Sequence, residues 1–287
     1  MRHFLTALSE IDRLLDVGGR LLIATDFDGT LCELGDIPAD VHLASSMLDS
    51  LRRLHACNLV TMAVVSGRAL SDLHRRVPLD VIMAGNHGLE ITGGGMNFEH
   101  NGARQLRFAI TGACEALTRL HWRWPAIWIE DKEFSATLHF RKVDQNHHGR
   151  LLFDARSCLA AFGPHLALRV GKQALEIRPN VKWNKGDALQ YIRGGIGPFR
   201  ATICMGDGRT DESMFRANPK GVNIRIGHSV HSAANEYLAN PDEVAILLAY
   251  MAASVSIERS AAAEPGVRCT APAFSKERAA GASHDRG

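Results

Sequence analysis

The stretch of sequence that decides the fold is Leu21–Leu31, LLIATDFDGTL. It begins with a short apolar run, which ends at Asp26 and Asp28, and the turn residue Gly29 follows. A short apolar run bounded by a turn signal is typical of a fully buried strand, as in a parallel sheet that helices cover on both faces. The stretch therefore predicts an interior strand that carries two carboxylates to one edge of a sheet.

The sequence downstream continues this pattern. Met47–Leu59 has apolar residues at helical spacing and Leu59–Val65 is a second apolar run, so that strand, helix and strand follow one another as in a βαβ unit. Further strands are predicted at Asp80–Ala84, Thr202–Met205 and Gly221–Ile226. We therefore expect an α/β fold with a doubly wound parallel sheet, in which ligands bind at the carboxyl ends of the strands.

Between residues 100 and 179 the pattern changes. Gln105–Leu120 and Leu151–Phe162 have helical spacing, and each is followed by an alternating stretch, Ala126–Arg141 and Leu166–Arg178. Two such units predict a smaller α/β module with an antiparallel sheet. The expected domains are a discontinuous core of residues 1–99 and 180–255, an inserted module of residues 100–179, and a disordered tail of residues 256–287, which has few large apolar residues.

The composition excludes several classes of protein. Lys and Arg number 33 against 31 Asp and Glu, a net charge of +2 without a long basic block, so we expect no nucleic-acid partner. No apolar run approaches the roughly 18 residues of a membrane span. Acidic residues within the apolar periodicity of residues 1–19 predict an amphipathic helix and not a signal peptide. Six cysteines without a C-x-x-C pair predict reduced thiols, as in a cytoplasmic protein. We also expect a monomer.

Acidic side chains gather at the predicted carboxyl edge of the sheet. Asp26 and Asp28 stand two positions apart after an apolar strand, where they repel each other unless a cation or backbone amides lie between them. Asp207 and Asp211 follow another predicted strand and supply further oxygens. Mg²⁺ prefers a few carboxylates together with water and phosphate oxygens. The sequence therefore predicts a magnesium site at this edge.

Two further polar residues complete a candidate phosphoryl-transfer site. Ser66 ends a predicted strand and can donate a hydrogen bond to a phosphate oxygen, and Lys185 can place a positive charge on the same group. Each short motif alone is more often a simple turn, but their order along the chain, nearly always after a predicted strand, favours one site. A metal ion, a carboxylate nucleophile, a hydroxyl donor and a lysine together suit phosphoryl transfer.

These motifs resemble the four motifs of the haloacid dehalogenase-like (HAD) phosphatases. DFDGTL, VVSGR, NKG and GDGRTDE carry the resemblance, which covers about residues 20–250. It implies that Asp26 attacks phosphorus to form an aspartyl-phosphate, and that Asp28 protonates the leaving alcohol and then activates water. It also implies that Ser66 and Lys185 hold the phosphoryl oxygens. The implied magnesium ligands are Asp26, the Asp28 carbonyl and Asp207, with Asp211 as a further metal-shell or orienting carboxylate.

Other stretches resemble the trehalose-6-phosphate phosphatases within this superfamily. They are Gly85–Glu90 (GNHGLE), Ile129–Arg141 and Gly171–Pro179 (GKQALEIRP). The resemblance implies that the inserted module is a cap that faces the sugar, and its charged and amide groups suit a disaccharide with many hydroxyls. His87 is interpreted as a packed core histidine. The candidate substrate-binding residues are Gly67, Arg68, Glu130, Lys132, Arg141, Lys172, Glu176, Arg178 and Asn180.

Two positions depart from the family pattern. Gly208 stands where the family usually has a second aspartate, and Phe140 stands where it usually has a tyrosine. The first departure removes a carboxylate near the metal, and the second removes a hydroxyl. We expect a magnesium-dependent phosphatase that acts on trehalose 6-phosphate. The alternatives are a related HAD phosphatase that acts on sucrose phosphate or glucosylglycerol phosphate, and a catalytically lapsed module that binds a sugar phosphate.

Overall fold

Two β-sheets organise the chain in the computed structural model, which describes residues 1–3, 12–13, 19–35, 40–171 and 173–262, the last seven by their backbone alone. Within those residues, one sheet has nine strands and the other has four. In chain order the strands are β1 (Arg2–His3), β2 (Leu21–Thr25), β3 (Val60–Val65), β4 (Ile82–Gly85), β5 (Glu90–Gly93), β6 (Met96–Glu99), β7 (Trp128–Asp131), β8 (Ala136–His139), β9 (Leu166–Val170), β10 (Ala174–Pro179), β11 (Ala201–Gly206), β12 (Val222–Ile226) and β13 (Glu236–Leu238).

The larger sheet has the order β1-β13-β12-β11-β2-β3-β4-β5-β6. Its strands are parallel from β1 to β4, and the hairpin of β5 and β6 adds two antiparallel strands at one edge. β2 pairs with β11 on one side and with β3 on the other. The carboxyl ends of these three central strands therefore lie side by side.

Helices cover both faces of the larger sheet. Leu21 and Ile23 of β2 belong to an apolar cluster with side chains of three helices, whereas Leu22 and Ala24 belong to a second cluster with side chains of two other helices. Alternate residues of a strand point to opposite faces, so β2 is buried throughout. The helices with described bounds are α1 (Ser45–His55), α2 (Leu70–Arg76), α3 (Asn101–Gln105), α4 (Arg107–Thr118), α5 (His148–Leu159), α6 (Lys185–Ile196), α7 (Glu212–Ala217) and α8 (Pro241–Ala262).

The smaller sheet has the order β7-β8-β10-β9, and all of its pairings are antiparallel. Leu138, Leu175 and Ile177 pack on one face with side chains of α4 and α5. Residues such as Thr137 and Glu176 alternate with them and occupy the opposite face. The α/β class, the mainly parallel sheet and a separate antiparallel module are thus confirmed. The domain limits at residues 100 and 179 stay a prediction.

The N-terminal residues depart from the expected helix. Arg2 and His3 form β1, which pairs in parallel with Glu236 and Tyr237 of β13. Arg2 also donates a hydrogen bond of 2.5 Å to the Glu236 carboxylate, which is fully buried. The prediction of a helix is therefore wrong for these two residues, because an edge strand offers them backbone partners. Residues 4–11 and 14–18 lie outside the described residues.

The C-terminal helix extends into the segment for which disorder was predicted. α8 continues to Ala262, although a disordered tail was expected from residue 256. Residues 263–287 lie outside the described residues. In the part of the chain that the structure describes, no helix combines the length and the apolar composition that crossing a membrane requires.

Candidate active site

The carboxyl ends of three central strands bring together residues that are far apart in sequence. Asp26 follows β2, Ser66 follows β3 and Asp207 follows β11. The backbone N–H of Asp26 donates to the carbonyl of Met205, and that of Ser66 donates to the carbonyl of Ala84, each at 2.9 Å. The hydrogen bonds of the sheet therefore continue to the first residue of each of these two loops and fix where their side chains begin.

Lys185 links two of the acidic side chains. Its Nζ lies 2.8 Å from Asp26 Oδ1 and 2.7 Å from Asp211 Oδ1, and its side chain is 1% exposed. Lys185 is the first residue of α6, whose N-cap Asn184 accepts hydrogen bonds from backbone N–H groups of the first turn. The side chain of Asp187 completes a capping box with Asn184. The local sequence thus fixes the position from which the ammonium group reaches both carboxylates.

The carboxyl groups of Asp26, Asp207 and Asp211 can carry more negative charge than Lys185 neutralises. Burial and the charge of Asp211 raise the pKa of Asp26 well above its usual value, against the opposing effect of Lys185. Burial and Asp211 also raise the pKa of Asp207 to about 6. Burial lowers the pKa of Lys185, but the carboxylates of Asp211 and Asp26 outweigh burial and raise it. A further cation at this position would favour the ionised form of Asp26 and Asp207.

The same three side chains suit a divalent cation. One carboxylate oxygen from each of Asp26, Asp207 and Asp211 lies within 4.8 Å of the other two. Carboxylate oxygens are the protein ligands that Mg²⁺ prefers. Gly29 has a φ of +71°, and a Cβ atom there would lie 2.4 Å from Asp207 Oδ2. Glycine is therefore needed at this turn for the Asp207 carboxylate to approach, and the three residues fit the predicted magnesium site.

Arg68 binds the side chain of Asp28. Its Nε donates to Asp28 Oδ2 at 2.7 Å and a terminal nitrogen donates to Oδ1 at 2.6 Å, while the other terminal nitrogen donates to Asp72 Oδ2 at 2.7 Å. Burial raises the pKa of Asp72, but hydrogen bonds from Arg76 and Arg68 outweigh it and lower that pKa to about 2. The guanidinium of Arg68, a predicted substrate ligand, is therefore engaged with two aspartates. The predicted metal contact of Asp28, through its backbone carbonyl, stays a prediction.

A cleft of about 250 Å³ lies between the two sheets, beside Asp28. The antiparallel register places Glu130, Thr137 and Glu176 in one row across β7, β8 and β10. Lys132 Nζ donates to the Gly67 carbonyl at 3.3 Å, which connects the smaller sheet to the loop after β3. The predicted substrate-binding residues that line this cleft are Gly67, Arg68, Glu130, Lys132 and Glu176.

Three polar side chains that line this cleft were not predicted as site residues: His87, Thr137 and His139. His87 was interpreted as a packed core histidine; it is buried, but its Nε2 lies 2.5 Å from Glu176 Oε1. Burial lowers the pKa of His87 to about 4, and the hydrogen bond from His87 outweighs burial and lowers the pKa of Glu176 to about 2. A neutral imidazole therefore donates to an ionised carboxylate. The position of His87 directly after a strand, in GNHGLE, was the available sequence signal.

His139 acts on Glu130 in a comparable way. His139 Nε2 lies 2.9 Å from Glu130 Oε2, and the His139 ring stacks on Trp128 with centroids 4.5 Å apart. Burial raises the pKa of Glu130, but His139 and Lys132 outweigh it and lower that pKa. The cleft therefore presents two ionised carboxylates, from Glu130 and Glu176, which are good hydrogen-bond acceptors. His139 and Thr137 are two positions apart in β8, so they lie on the same face of the smaller sheet. This alternation was the sequence signal that could have identified His139.

Three of the four remaining predicted substrate ligands are described by the structure, and none of the three lines this cleft. Arg141 is exposed and its Nε donates to Gln173 at 2.7 Å, and the Asn180 side chain donates to a backbone carbonyl at 3.2 Å. Arg178 lines a separate pocket of about 200 Å³. Lys172 lies outside the described residues. The substrate-binding roles of these four residues stay predictions.

The two departures from the family pattern have different surroundings. Phe140 is buried in the apolar core of the smaller module, where its ring meets His148 edge-on at 4.8 Å. The position at which the family usually has a tyrosine therefore lies in the apolar core of the smaller module and does not line the cleft. The backbone N–H of Gly208 donates to Asp211 Oδ2 at 2.8 Å. Gly208 thus helps to orient one carboxylate of the cluster formed by Asp26, Asp207 and Asp211, although it supplies no carboxylate itself. We call this cluster the acidic group.

Comparison with known proteins supports the same grouping of residues. The sequence profile of the trehalose-phosphatase family matches residues 24–242, a range that contains the whole acidic group and the cleft. The chain belongs to the trehalose-phosphatase family. The probable trehalose-phosphate phosphatase E of Arabidopsis thaliana is 30% identical over 263 residues, which cover 85% of this chain and 73% of the plant protein. An uncharacterized glycosyl hydrolase of Mycobacterium tuberculosis is 34% identical over 86% of this chain, which spans only 19% of that protein.

Solved structures share the fold. A trehalose-6-phosphate phosphatase related protein superposes with a TM-score of 0.74 at 24% identity, covering 83% of this chain and 99% of that chain. The C-terminal domain of Candida albicans trehalose-6-phosphate phosphatase gives a TM-score of 0.70 at 20% identity, with 85% and 96% covered. A phosphatase of the HAD superfamily from Bacteroides thetaiotaomicron gives 0.52 at 16% identity, with 82% and 96% covered. The expected HAD-like fold is confirmed.

Proposed function

We propose that the chain is a magnesium-dependent phosphatase that hydrolyses trehalose 6-phosphate to trehalose and inorganic phosphate. The observation that carries this proposal is the position of Asp26, a buried carboxylate at the end of β2 that contacts Lys185 and lies within 4.8 Å of carboxylate oxygens of Asp207 and Asp211. Family membership, and the name of the relative from Arabidopsis thaliana, support trehalose 6-phosphate as the substrate.

Asp26 supplies the nucleophile in this proposal. Its Oδ1 accepts hydrogen bonds from the backbone of Phe27 at 2.7 Å and from Lys185 at 2.8 Å, which hold the carboxylate in one orientation. Attack on phosphorus forms a bond between Asp26 and phosphorus while the bond from phosphorus to the sugar oxygen breaks. Water then attacks the aspartyl-phosphate, and inorganic phosphate leaves as the carboxylate is restored.

Lys185 and Ser66 can both donate to the phosphoryl oxygens. Lys185 uses two of its three ammonium hydrogens on Asp26 and Asp211, so the third can bind a phosphoryl oxygen. Ser66 Oγ accepts a hydrogen bond from the Arg68 backbone at 3.2 Å, which leaves its own hydrogen for the substrate. When bound by the acidic group, Mg²⁺ would neutralise charge on the same oxygens as it develops.

Asp28 is the proposed proton donor to the leaving sugar oxygen and the base that activates water. Its two carboxylate oxygens each accept a hydrogen bond from Arg68. A protonated carboxyl group has one oxygen that donates, so one of these hydrogen bonds must be released or rearranged when Asp28 carries the proton. The exchange of hydrogen bonds between Asp28 and Arg68 is therefore part of the proposed cycle.

The cleft is the proposed site of the disaccharide, and residues 100–179 the proposed cap. Glu130 and Glu176 offer ionised oxygens, and Lys132 offers donors, on the face of the smaller sheet opposite its apolar core. A site that pairs each of its buried polar groups with a sugar hydroxyl discriminates strongly against analogues that lack them. Opening and closing of the cap would admit the substrate and exclude water.

A panel of phosphate esters tests the proposed specificity. The ratio kcat/KM is measured with Mg²⁺ for trehalose 6-phosphate, sucrose phosphate, glucosylglycerol phosphate and the small aryl ester p-nitrophenyl phosphate. We expect the highest ratio for trehalose 6-phosphate, and Glu130→Gln should lower it without lowering that for the aryl ester. A higher kcat/KM for another sugar phosphate would identify that ester as the substrate in place of trehalose 6-phosphate. Binding of these esters without turnover of any of them would show that the protein is a catalytically lapsed module.

A further inference from the structure

A second pocket between the two sheets, with a volume of about 520 Å³, is lined mainly by arginines. Arg169 comes from β9 of the smaller sheet, whereas Arg209, Arg216 and Arg225 come from the core, and Glu212 is the one carboxylate among the described lining residues. We call this the arginine pocket. Its lining therefore carries a clear excess of positive charge.

The arginine pocket is separate from the cleft but lies in the same space between the sheets. Arg169 pairs in register with Glu176, so it extends the row of Glu130, Thr137 and Glu176 by one strand. On the core side, Arg225 belongs to β12, which lies on the far side of β11 from β2. On the core side, the cleft is therefore lined by the loops that follow β2 and β3, whereas the arginine pocket is lined by β12 and by the segment that follows β11.

The arginines have unused hydrogen-bond donors. Among the residues that the structure describes, the side chains of Arg169, Arg209 and Arg216 form no hydrogen bond or ion pair, and all three residues are exposed. Arg225 Nε is buried without an acceptor among those residues. The carboxylate of Glu212 is already engaged, because it pairs with a terminal nitrogen of Arg225 at 3.1 Å and accepts hydrogen bonds at 2.7 Å from the Ser232 hydroxyl and from the backbone N–H of residue 233. The pocket thus offers many donors and few acceptors.

We propose that the arginine pocket binds a second phosphate group, apart from the one at Asp26. Guanidinium groups present paired donors that match phosphate oxygens, and several arginines around one cavity favour an anion with more than one charge. Trehalose 6-phosphate has one phosphate group, and the proposed reaction assigns it to Asp26. The donors of the arginine pocket are therefore left for another phosphate, either inorganic phosphate or a phosphorylated organic molecule.

A phosphate in this pocket connects the two sheets. It contacts Arg169 of the smaller sheet together with Arg209 and Arg216 of the core, so its binding stabilises the arrangement in which the sheets face each other. The pocket also adjoins the acidic group. A terminal nitrogen of Arg225 donates to the Gly208 carbonyl at 3.5 Å, and the Gly208 N–H donates to Asp211 at 2.8 Å. The proposed ligand therefore contacts residues of both sheets and lies next to the segment that carries Asp211.

Calorimetric titration in EDTA separates the two phosphate sites. Without a divalent cation, the carboxylates of the acidic group repel phosphate, whereas the arginine pocket needs no metal. Inorganic phosphate and trehalose 6-phosphate are each titrated into the metal-free protein. We expect saturable binding of one phosphate, weakened about tenfold by Arg169→Gln and about tenfold by Arg216→Gln, the effect of losing one charge-assisted hydrogen bond. Arg156→Gln, at an exposed arginine of α5, is the control and should bind as the unchanged protein does.

Both titrants inform the proposal. Equal affinity for the two shows that the pocket recognises the phosphate group alone. Tighter binding of trehalose 6-phosphate that Arg169→Gln and Arg216→Gln weaken shows that the pocket recognises an organic phosphate, and either result supports the proposal. Absence of binding in EDTA, or equal binding by the Arg169→Gln, Arg216→Gln and Arg156→Gln proteins, would overturn it. The titration uses no turnover, so it is interpretable even if the proposed function fails.

Discussion

Arg68 donates hydrogen bonds to both oxygens of the Asp28 carboxylate, at 2.7 and 2.6 Å, from a side chain that is 6% exposed. The guanidinium also contacts Asp72 and lies over the Phe27 ring, 5.2 Å from its centroid. This bidentate contact fixes the carboxylate that we propose as proton donor and base. It favours a positioning role of Arg68 toward Asp28, and the substrate contact predicted from the sequence stays a prediction.

Replacement of Arg68 by lysine tests this assignment. Arg68→Lys keeps the charge but cannot form the bidentate contact, so we expect kcat for trehalose 6-phosphate to fall by about 10- to 100-fold with KM nearly unchanged. Arg75→Lys is the control, because Arg75 also pairs with Asp72 but is 72% exposed. A rise in KM at constant kcat would instead indicate that Arg68 binds the substrate.

Lys185→Met should destabilise the metal-free protein. The substitution leaves the buried carboxyl groups of Asp26 and Asp211 without their shared ammonium, and removal of one partner from a buried ion pair costs about 3–5 kcal/mol. Urea unfolding in EDTA measures the loss, with the exposed neighbour Lys182→Met as control. A loss below about 1 kcal/mol would show that the ion pairs contribute little to the folded state.

Magnesium should stabilise the folded protein through the acidic group. Binding to the folded state alone raises the free energy of unfolding by about 2.7 kcal/mol at a hundredfold excess over Kd. We therefore expect Tm to rise with Mg²⁺ and the rise to disappear in Asp207→Asn, which removes one of the three carboxylates. Asp80→Asn, at an exposed residue, should keep the rise. An unchanged response in Asp207→Asn would place the ion elsewhere.

The contact of His87 with Glu176 predicts a loss of stability in mild acid. In the unfolded chain His87 takes up a proton near its ordinary pKa of about 6.5. Burial lowers the pKa of His87 in the folded chain to about 4. The unfolded chain therefore binds more protons between these values, and the free energy of unfolding falls as the pH decreases from about 6.5 to about 4.

Denaturant unfolding at pH 7 and pH 5 measures this effect. We expect the unchanged protein to lose about 2 kcal/mol more than His87→Gln between these two values. His121→Gln, at an exposed histidine, should lose as much as the unchanged protein. The contact contributes a second loss below pH 4.5, because the pKa of Glu176 is lowered to about 2. Equal losses in all three proteins at pH 5 would contradict the neutral state of His87.

The sequence predicted the acidic group well because its members are defined locally. An apolar run that ends in Asp26, or in Gly206 and Asp207, indicates a buried strand and its loop, and parallel pairing then brings the loops together. Lys185 follows the same logic, since its helix begins with a capping box that the sequence contains. For these residues, local pattern and topology are sufficient.

The cleft was harder to predict because its contacts cross between modules. Which of the alternating residues face the core depends on how the smaller sheet sits on the larger one, and no local pattern carries that information. Arg141 and Asn180 therefore appeared equivalent to Glu130 and Glu176, although only the latter pair lines the cleft. The engagement of Arg68 with Asp28 likewise depends on the distance between two loops.

The most direct test of the account is the release of inorganic phosphate from trehalose 6-phosphate by the unchanged protein and by Asp26→Asn, each with Mg²⁺ and with EDTA. We predict release by the unchanged protein with Mg²⁺, loss of release in EDTA, and release at background level by Asp26→Asn under both conditions, because the asparagine cannot form an aspartyl-phosphate. Near-normal release by Asp26→Asn would contradict the nucleophilic role of Asp26, and release that is unchanged in EDTA would contradict the dependence on magnesium.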